Sequence, residues 1–174
     1  IESAEAMLRA CLAALPVDLR QIFAATRPQI VYTHNPADKH NTHIGVLHAV
    51  LETIRALPAS ERPGKLYGCE LWRDLDWLPD ELKVVLDVSG HDELAAQLNA
   101  VFASQIAGGK RYDLAVAGRR RANATFLASH AADKSTAVTF AMDLTALMAG
   151  GDVAAHVTDL IEQFKADVRR RLRA

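Results

Sequence analysis

Cysteine is scarce in this chain, with only Cys11 and Cys69 among 174 residues. At most one bridge could form, and neither residue sits in a Cys-x-x-Cys or Cys/His pattern that would suit redox or structural zinc chemistry. Both are expected to be reduced, mostly buried thiols. An excess of charge of one sign is lacking as well: 20 basic side chains face 21 acidic ones. The basic residues fall in short clusters rather than one stripe, which argues against nucleic acid or an anionic membrane as the main partner. No apolar run approaches the roughly 18 residues of a membrane span. Glu2, Glu5 and Arg9 interrupt the start of the chain, where a signal peptide needs an unbroken apolar core. A cytoplasmic protein is the expectation. What is present is ordinary: 50% of the residues are hydrophobic and 24% charged, which excludes a disordered or collagen-like chain. The first residue is Ile1 rather than methionine, and it opens directly into a helical pattern with Leu8, Cys11, Leu12 and Leu15 on one face. The sequence reads as a piece of something longer.

After Pro16 a short helical stretch is expected over 18–25, and Arg27-Pro28 ends it. Gln29 to Thr33 is rich in β-branched and aromatic residues and predicts a buried strand. A polar loop, His34 to Asn41, then feeds an amphipathic helix with Ile44, Leu47, Val50, Leu51, Ile54 and Leu57 on its apolar side. Lys65 to Cys69 and Lys83 to Val88 predict two more strands. Beyond them Ser89 can cap a helix with Asp92 and Glu93 in its first turn, a stripe of Leu94, Leu98, Val101, Phe102 and Ile106, and a stop at Gly108-Gly109. Further helices are expected over Tyr112–Leu127, Thr136–Met148 and Asp152–Leu172, the last with Val153, Val157, Leu160, Ile161, Phe164 and Val168 facing inward. Alternating strands and helices favour a layered α/β sheet. No internal repeat and no linker is apparent, so residues 1–174 are expected to form one domain.

Chemistry concentrates in the polar loop. His34, His40 and His43 fall within ten residues, together with Asp38, between a strand and the start of a helix. In an open α/β sheet such positions build sites. His40 and His43 are three residues apart and project to one side of a helix start, and Asp38 is near enough to hydrogen-bond one imidazole and fix its tautomer. One histidine could bind metal and the other transfer protons. The competing account is a solvated, histidine-rich loop whose helix is capped by Asp38 or Asn41.

The string Tyr32-Thr-His-Asn-Pro-Ala-Asp-Lys-His-Asn-Thr-His43 resembles the second motif of the PIG-L (LmbE-like) family of zinc-dependent N-deacetylases. The likeness continues through Leu66–Trp77, Ser104–Leu114, Gly118–Thr125 and Ala141–Thr145, blocks similar to a subgroup found alone or joined to glucosamine-6-phosphate deaminase-like modules. The resemblance implies a Rossmann-like α/β sheet, with His43 as a zinc ligand, His40 acting on the scissile amide and Asp38 as its acidic partner. Zinc held by two His and one Asp lowers the pKa of bound water to about 7 and polarises a carbonyl. The family's other motif, an N-terminal Ala-His-Pro-Asp-Asp-Glu that supplies the remaining ligands and the general base, has no counterpart here. His91-Asp92 lacks its proline and second aspartate. One ligand of three cannot hold a catalytic zinc, so the chain is expected to represent a C-terminal part, lacking the first strand and first metal motif and inactive by itself.

Other residues carry two readings each. Arg73 and Glu70 could enter the cleft, the arginine on a phosphate or carboxylate and the glutamate on a sugar hydroxyl, or Arg73 could pair with Asp74 or Asp76. Trp72 and Trp77 read as core or cleft wall more than as sugar platforms. Gly108-Gly109-Lys110-Arg111 resembles a phosphate-binding turn, against a helix C-cap followed by solvated charges, so Lys110 and Arg111 stand as candidate substrate contacts. Arg119, Arg120 and Arg121 fan over different helix faces, and the run Arg169, Arg170, Arg171, Arg173 suits a helix C-terminus. His48 and His156 are expected on helix surfaces. The function these readings favour is a zinc-dependent hydrolase removing an acyl group from an N-acetylated amino sugar or its conjugate, a small-molecule partner, with homo-oligomerisation left open. The alternatives are a non-catalytic sugar-binding or assembly module that keeps half the site, and a module serving an attached sugar-phosphate deaminase.

Overall fold

The computed structural model describes residues 2–107, 109–128 and 130–173. Its elements run α1 (Glu2–Thr26), β1 (Ile30–His34), α2 (Asn41–Ala56), β2 (Lys65–Cys69), β3 (Lys83–Asp87), α3 (Asp92–Ala100), α4 (Ser104–Ala107), α5 (Tyr112–Phe126), β4 (Val138–Asp143) and α6 (Val153–Arg171). Strand order is β1-β2-β4-β3. β1 and β2 are parallel, Ile30 opposite Lys65 and His34 opposite Cys69; β4 is antiparallel to β2, with Tyr67 opposite Asp143. The α/β class expected from the sequence is therefore present as a mixed sheet. No helix among the described residues is long and apolar enough to cross a membrane.

Contacts divide the chain into two compact units, one made of residues 1–84 with 141–174 and the other of residues 85–140. In the first, α2 turns Leu47, Leu51 and Ile54 inward, where with Leu66, Leu75, Leu78, Met142 and Leu144 they are almost fully buried. Arg55 fastens α2 to the turn after β4, its Nε donating to Leu147 O and its Nη2 to Gly151 O, both at 2.9 Å. Gly68 sits in the tightest spot. A Cβ there would come within 2.9 Å of Asn35 Cα and 2.8 Å of Leu144 Cδ1, so the absence of a side chain lets the two parallel strand ends close together. In the second unit, Val138 and Phe140 are buried and Asn123 Nδ2 donates to Val138 O at 3.2 Å.

Several expectations are corrected. Residues 2–26 form one helix with Pro16 inside it rather than two stretches separated at Pro16; the missing proline N–H costs one helical bond but does not end the helix. The side chain of Leu8 lies outside the described residues. Cys11 is exposed, not buried, and both cysteines are free. β1 is not a buried strand: it lies at the end of the strand order, with Ile30 44% and Tyr32 55% exposed. The helix expected over Thr136–Met148 is β4 followed by a 3-10 turn over Thr145–Ala149. Phe140, Ala141 and Met142 are buried in succession, so both faces of β4 are covered there and its run of Val, Phe, Ala and Met shows no period-2 alternation.

The long helix expected from Ser89 is broken at residues 101–103 into α3 and α4, and Leu94, Leu98, Val101 and Phe102 are exposed. Ser89 does not cap it. Its Oγ accepts the N–H of Thr136 at 2.8 Å and of Ala137 at 3.3 Å, while His91 takes the cap position. Gly108, the expected stop, lies outside the described residues. α6 begins as expected, Asp152 Oδ1 accepting from Ala154 N and Ala155 N. Of its six apolar positions expected inward only Leu160 is buried, and Ile161, Phe164 and Val168 are exposed. His156 is half-buried rather than at the helix surface.

Candidate histidine-carboxylate site

The loop after β1 is shaped by Asn35 and Asp38, both buried. Asn35 folds it into an Asx turn, Oδ1 accepting the N–H of Ala37 at 2.9 Å, while its Nδ2 and its backbone N–H both donate to Cys69 O, at 2.9 and 3.2 Å. Three residues on, Asp38 repeats the motif with Oδ1 accepting the N–H of His40 at 2.9 Å. Its other oxygen accepts the N–H of Trp72, from the loop after β2, at 3.4 Å. Neither Asp38 nor Asn41 caps α2 as the competing account supposed. His40 occupies the cap position and makes no capping side-chain bond.

On that frame the three histidines converge. His43 Nδ1 lies 3.1 Å from Asp38 Oδ1, an ion-pair separation lying off the line of a hydrogen bond, and this buried nitrogen has no hydrogen-bond partner among the described residues. The His34 and His43 rings stack with centroids 4.0 Å apart and planes within 3°. The His40 ring, exposed at the helix start, stands 5.2 Å from that of His43 and 4.9 Å from the indole of Trp72. Lys39 Nζ lies 4.6 Å over the same indole. Compared with protein-family models, curated proteins and solved structures, the chain matches none.

Electrostatics divide the roles. Burial works against the charge on Asp38, but the His40 N–H, the His43 ring and the Trp72 N–H outweigh it and hold the carboxyl below its usual range. His34 is lowered, first by burial and then by His43, with Asp38 pulling the other way. Cys69, at the end of β2, is pushed up to about 11 by burial and by Glu70, so its thiol stays protonated at neutral pH.

A lowered histidine makes stability depend on pH. Between the lowered value and the ordinary 6.5 of the unfolded chain, the unfolded state binds more protons, so the contribution of neutral His34 is complete above pH 6.5 and is lost as pH falls through the folded value. Urea midpoints at about pH 7.5 and about pH 5.5 should therefore separate more in the wild type than in His34→Gln. Equal separations in the two proteins would assign the pH dependence elsewhere.

The resemblance to the zinc family requires a fit test. An imidazole lone pair lies in the ring plane and a zinc ligand nitrogen sits about 2.0–2.1 Å from the metal. Two parallel rings 4.0 Å apart cannot both aim at one ion, so His34 and His43 do not share a metal in this arrangement. Among the described residues no group of three His, Cys, Asp or Glu side chains is placed to hold an ion. The described residues thus offer one histidine backed by a carboxylate and do not by themselves fit a zinc ion. Asp38 faces the ring of His43, whereas the resemblance pairs it with His40, which it meets only through the backbone.

Of the remaining candidates, Glu70 is buried and Arg73 exposed, both on the β2–β3 loop in the same unit as the histidines. Lys110 and Arg111 belong to the other unit. Arg111 there is committed to Asp113 by a two-pronged ion pair, Nε to Oδ1 at 2.9 Å and Nη2 to Oδ2 at 2.7 Å. Sequence reasoning passed over Asn35 and Lys39 and set Trp72 aside. Asn35 had a usable signal in the Asn-Pro pair that opens the loop; Lys39 had none beyond its place between Asp38 and His40, and Trp72 had none.

Proposed function

We propose that this chain is part of a PIG-L type N-deacetylase that releases an acyl group from an N-acetylated amino sugar or its conjugate. The observation that carries the reading is the buried Asp38 facing Nδ1 of His43 at 3.1 Å. A carboxylate facing Nδ1 favours the tautomer that leaves the Nε2 lone pair to ligate, the usual arrangement behind a metal-ligating histidine. His40 stands beside it, exposed, at the mouth of the same loop. There it can donate a hydrogen bond to an amide carbonyl oxygen or pass a proton to the departing amine. Zinc remains part of the reading only with ligands additional to His43.

The reading is tested in the full-length polypeptide. His43→Ala should lose bound zinc and with it turnover of an N-acetylglucosamine conjugate. His40→Ala should keep the zinc and lose about 10²–10⁴-fold in kcat, the usual worth of a positioned acid or base. Wild-type activity in either variant would reject the assignment. A non-catalytic sugar-binding or assembly module is the second reading, favoured by one histidine-carboxylate pair and no three-ligand group among the described residues. It expects no zinc and no deacetylation from the full-length wild type.

A further inference from the structure

His40 occupies an exposed position at the start of α2, where its side chain makes no capping bond. An exposed imidazole so placed would sample several rotamers, yet acid-base work needs one. Three successive residues of the loop, Asp38, Lys39 and His40, are each met by the same residue from the neighbouring loop. The N–H of Trp72 donates to Asp38 Oδ2 at 3.4 Å, its indole lies under Lys39 Nζ at 4.6 Å, and the His40 ring meets it at 4.9 Å and 65°. Trp72 is half-buried. The loop that carries it is anchored by Leu75 and Leu78, both almost fully buried, and is closed by the bond from Leu78 N to Leu75 O at 3.0 Å.

From this geometry we infer that Trp72 is a positioning residue for His40, fixing the imidazole against its indole, over which Lys39 Nζ also lies. The angled contact suits an aromatic pair, whose ring edge is positive and face negative, and the Lys39 contact is an ordinary cation–π interaction. A supporting group with locked packing is what holds a reactive side chain within the narrow tolerance chemistry needs. With Lys39 over it, the indole is a support for the loop rather than an open platform for a sugar. The part of this inference that concerns turnover rests on the deacetylase reading; the part that concerns the imidazole does not.

The two are separated by measuring the ring and the rate independently. In the wild-type chain, NMR should give NOEs between the Trp72 indole and the His40 imidazole protons. Trp72→Leu should move the His40 ring resonances, and Trp72→Phe should move them less, because an aromatic edge is kept. Absence of those NOEs in the wild type overturns the inference even if the leucine variant fails to fold. Unmoved His40 resonances in a folded Trp72→Leu overturn it too. In the full-length polypeptide Trp72→Leu should lower kcat with little change in KM, and Trp72→Phe should restore most of it. A raised KM at constant kcat would make Trp72 a substrate wall and reject the positioning role. NOEs present in a full-length protein with no deacetylase activity would leave the positioning intact and reject the proposed function.

Discussion

Asn35→Ala should lower the free energy of unfolding by about 2–3 kcal/mol, because a buried polar group left unpaired costs about 1–3 kcal/mol and two bonds are lost together. Asn35 is fully buried, and its side chain donates to Cys69 O at 2.9 Å while accepting the N–H of Ala37 at 2.9 Å. Alanine removes both, and the half-buried Ala37 loses the acceptor of its N–H. Asn35→Asp is the informative companion. It keeps an oxygen for Ala37 but faces Cys69 O with a second oxygen in place of a donor, and it buries a charge. It should be at least as destabilised at neutral pH and recover part of the loss when acid protonates it. Urea denaturation of the three proteins decides; a loss under about 0.5 kcal/mol for Asn35→Ala, the range of ordinary surface changes, would mean that the loop does not depend on this turn.

Leu47→Ala should cost about 3 kcal/mol, within the 2–5 kcal/mol seen when a leucine is cut from a packed core. The side chain is fully buried on α2, beside Leu51 and Ile54 on the same face. His43 lies one turn earlier on that face and meets Asp38, whereas His40, the extended residue just before the helix, is exposed. Loosening Leu47 therefore reaches the site through the helix as well as through the core. His48→Ala, next in sequence but exposed, is the control and should change stability by about 0.5 kcal/mol or less. Denaturant midpoints for the two variants test this directly, and a Leu47→Ala cost below about 1 kcal/mol would contradict the packing of α2.

What could be read from the sequence divides along physical lines. α2 was legible because its apolar residues recur with the helical period, β1 because Ile, Val, Tyr and Thr cluster in it, and β3 because of its paired valines. β4 was not: Thr136 to Met148 carries alanine and methionine in a segment buried on both faces, and periodicity cannot distinguish such a strand from a helix. The stripe on α3 and the seam on α6 show the opposite failure, since Leu94, Leu98, Ile161, Phe164 and Val168 have the spacing of inward residues and are exposed. Spacing reports which residues share a face, not whether that face is covered. Within the site, the convergence of His40, His43 and Asp38 followed from their closeness in the chain. Which imidazole the carboxylate faces, and the stacking of His34 on His43, depend on rotamers and on the loop after β2.

The first compact unit is discontinuous: residues 141–174 join residues 1–84 across everything between. β2 is ready early in synthesis, yet its antiparallel neighbour β4 lies beyond residues 70–137. The hydrogen bonds that seal this seam, from Leu144 N to Leu66 O at 2.9 Å and from Leu66 N to Thr145 Oγ1 at 3.2 Å, join residues from the two ends of that long loop. A nascent chain emerging from the ribosome can form α2 and the parallel pair of strands, but it holds an open flank of β2 until β4 has been made. Contacts so far apart in sequence are paid for in loop-closure entropy before they return any stability, which slows folding. The last strand to be synthesised in the sheet is thus also the one that closes it.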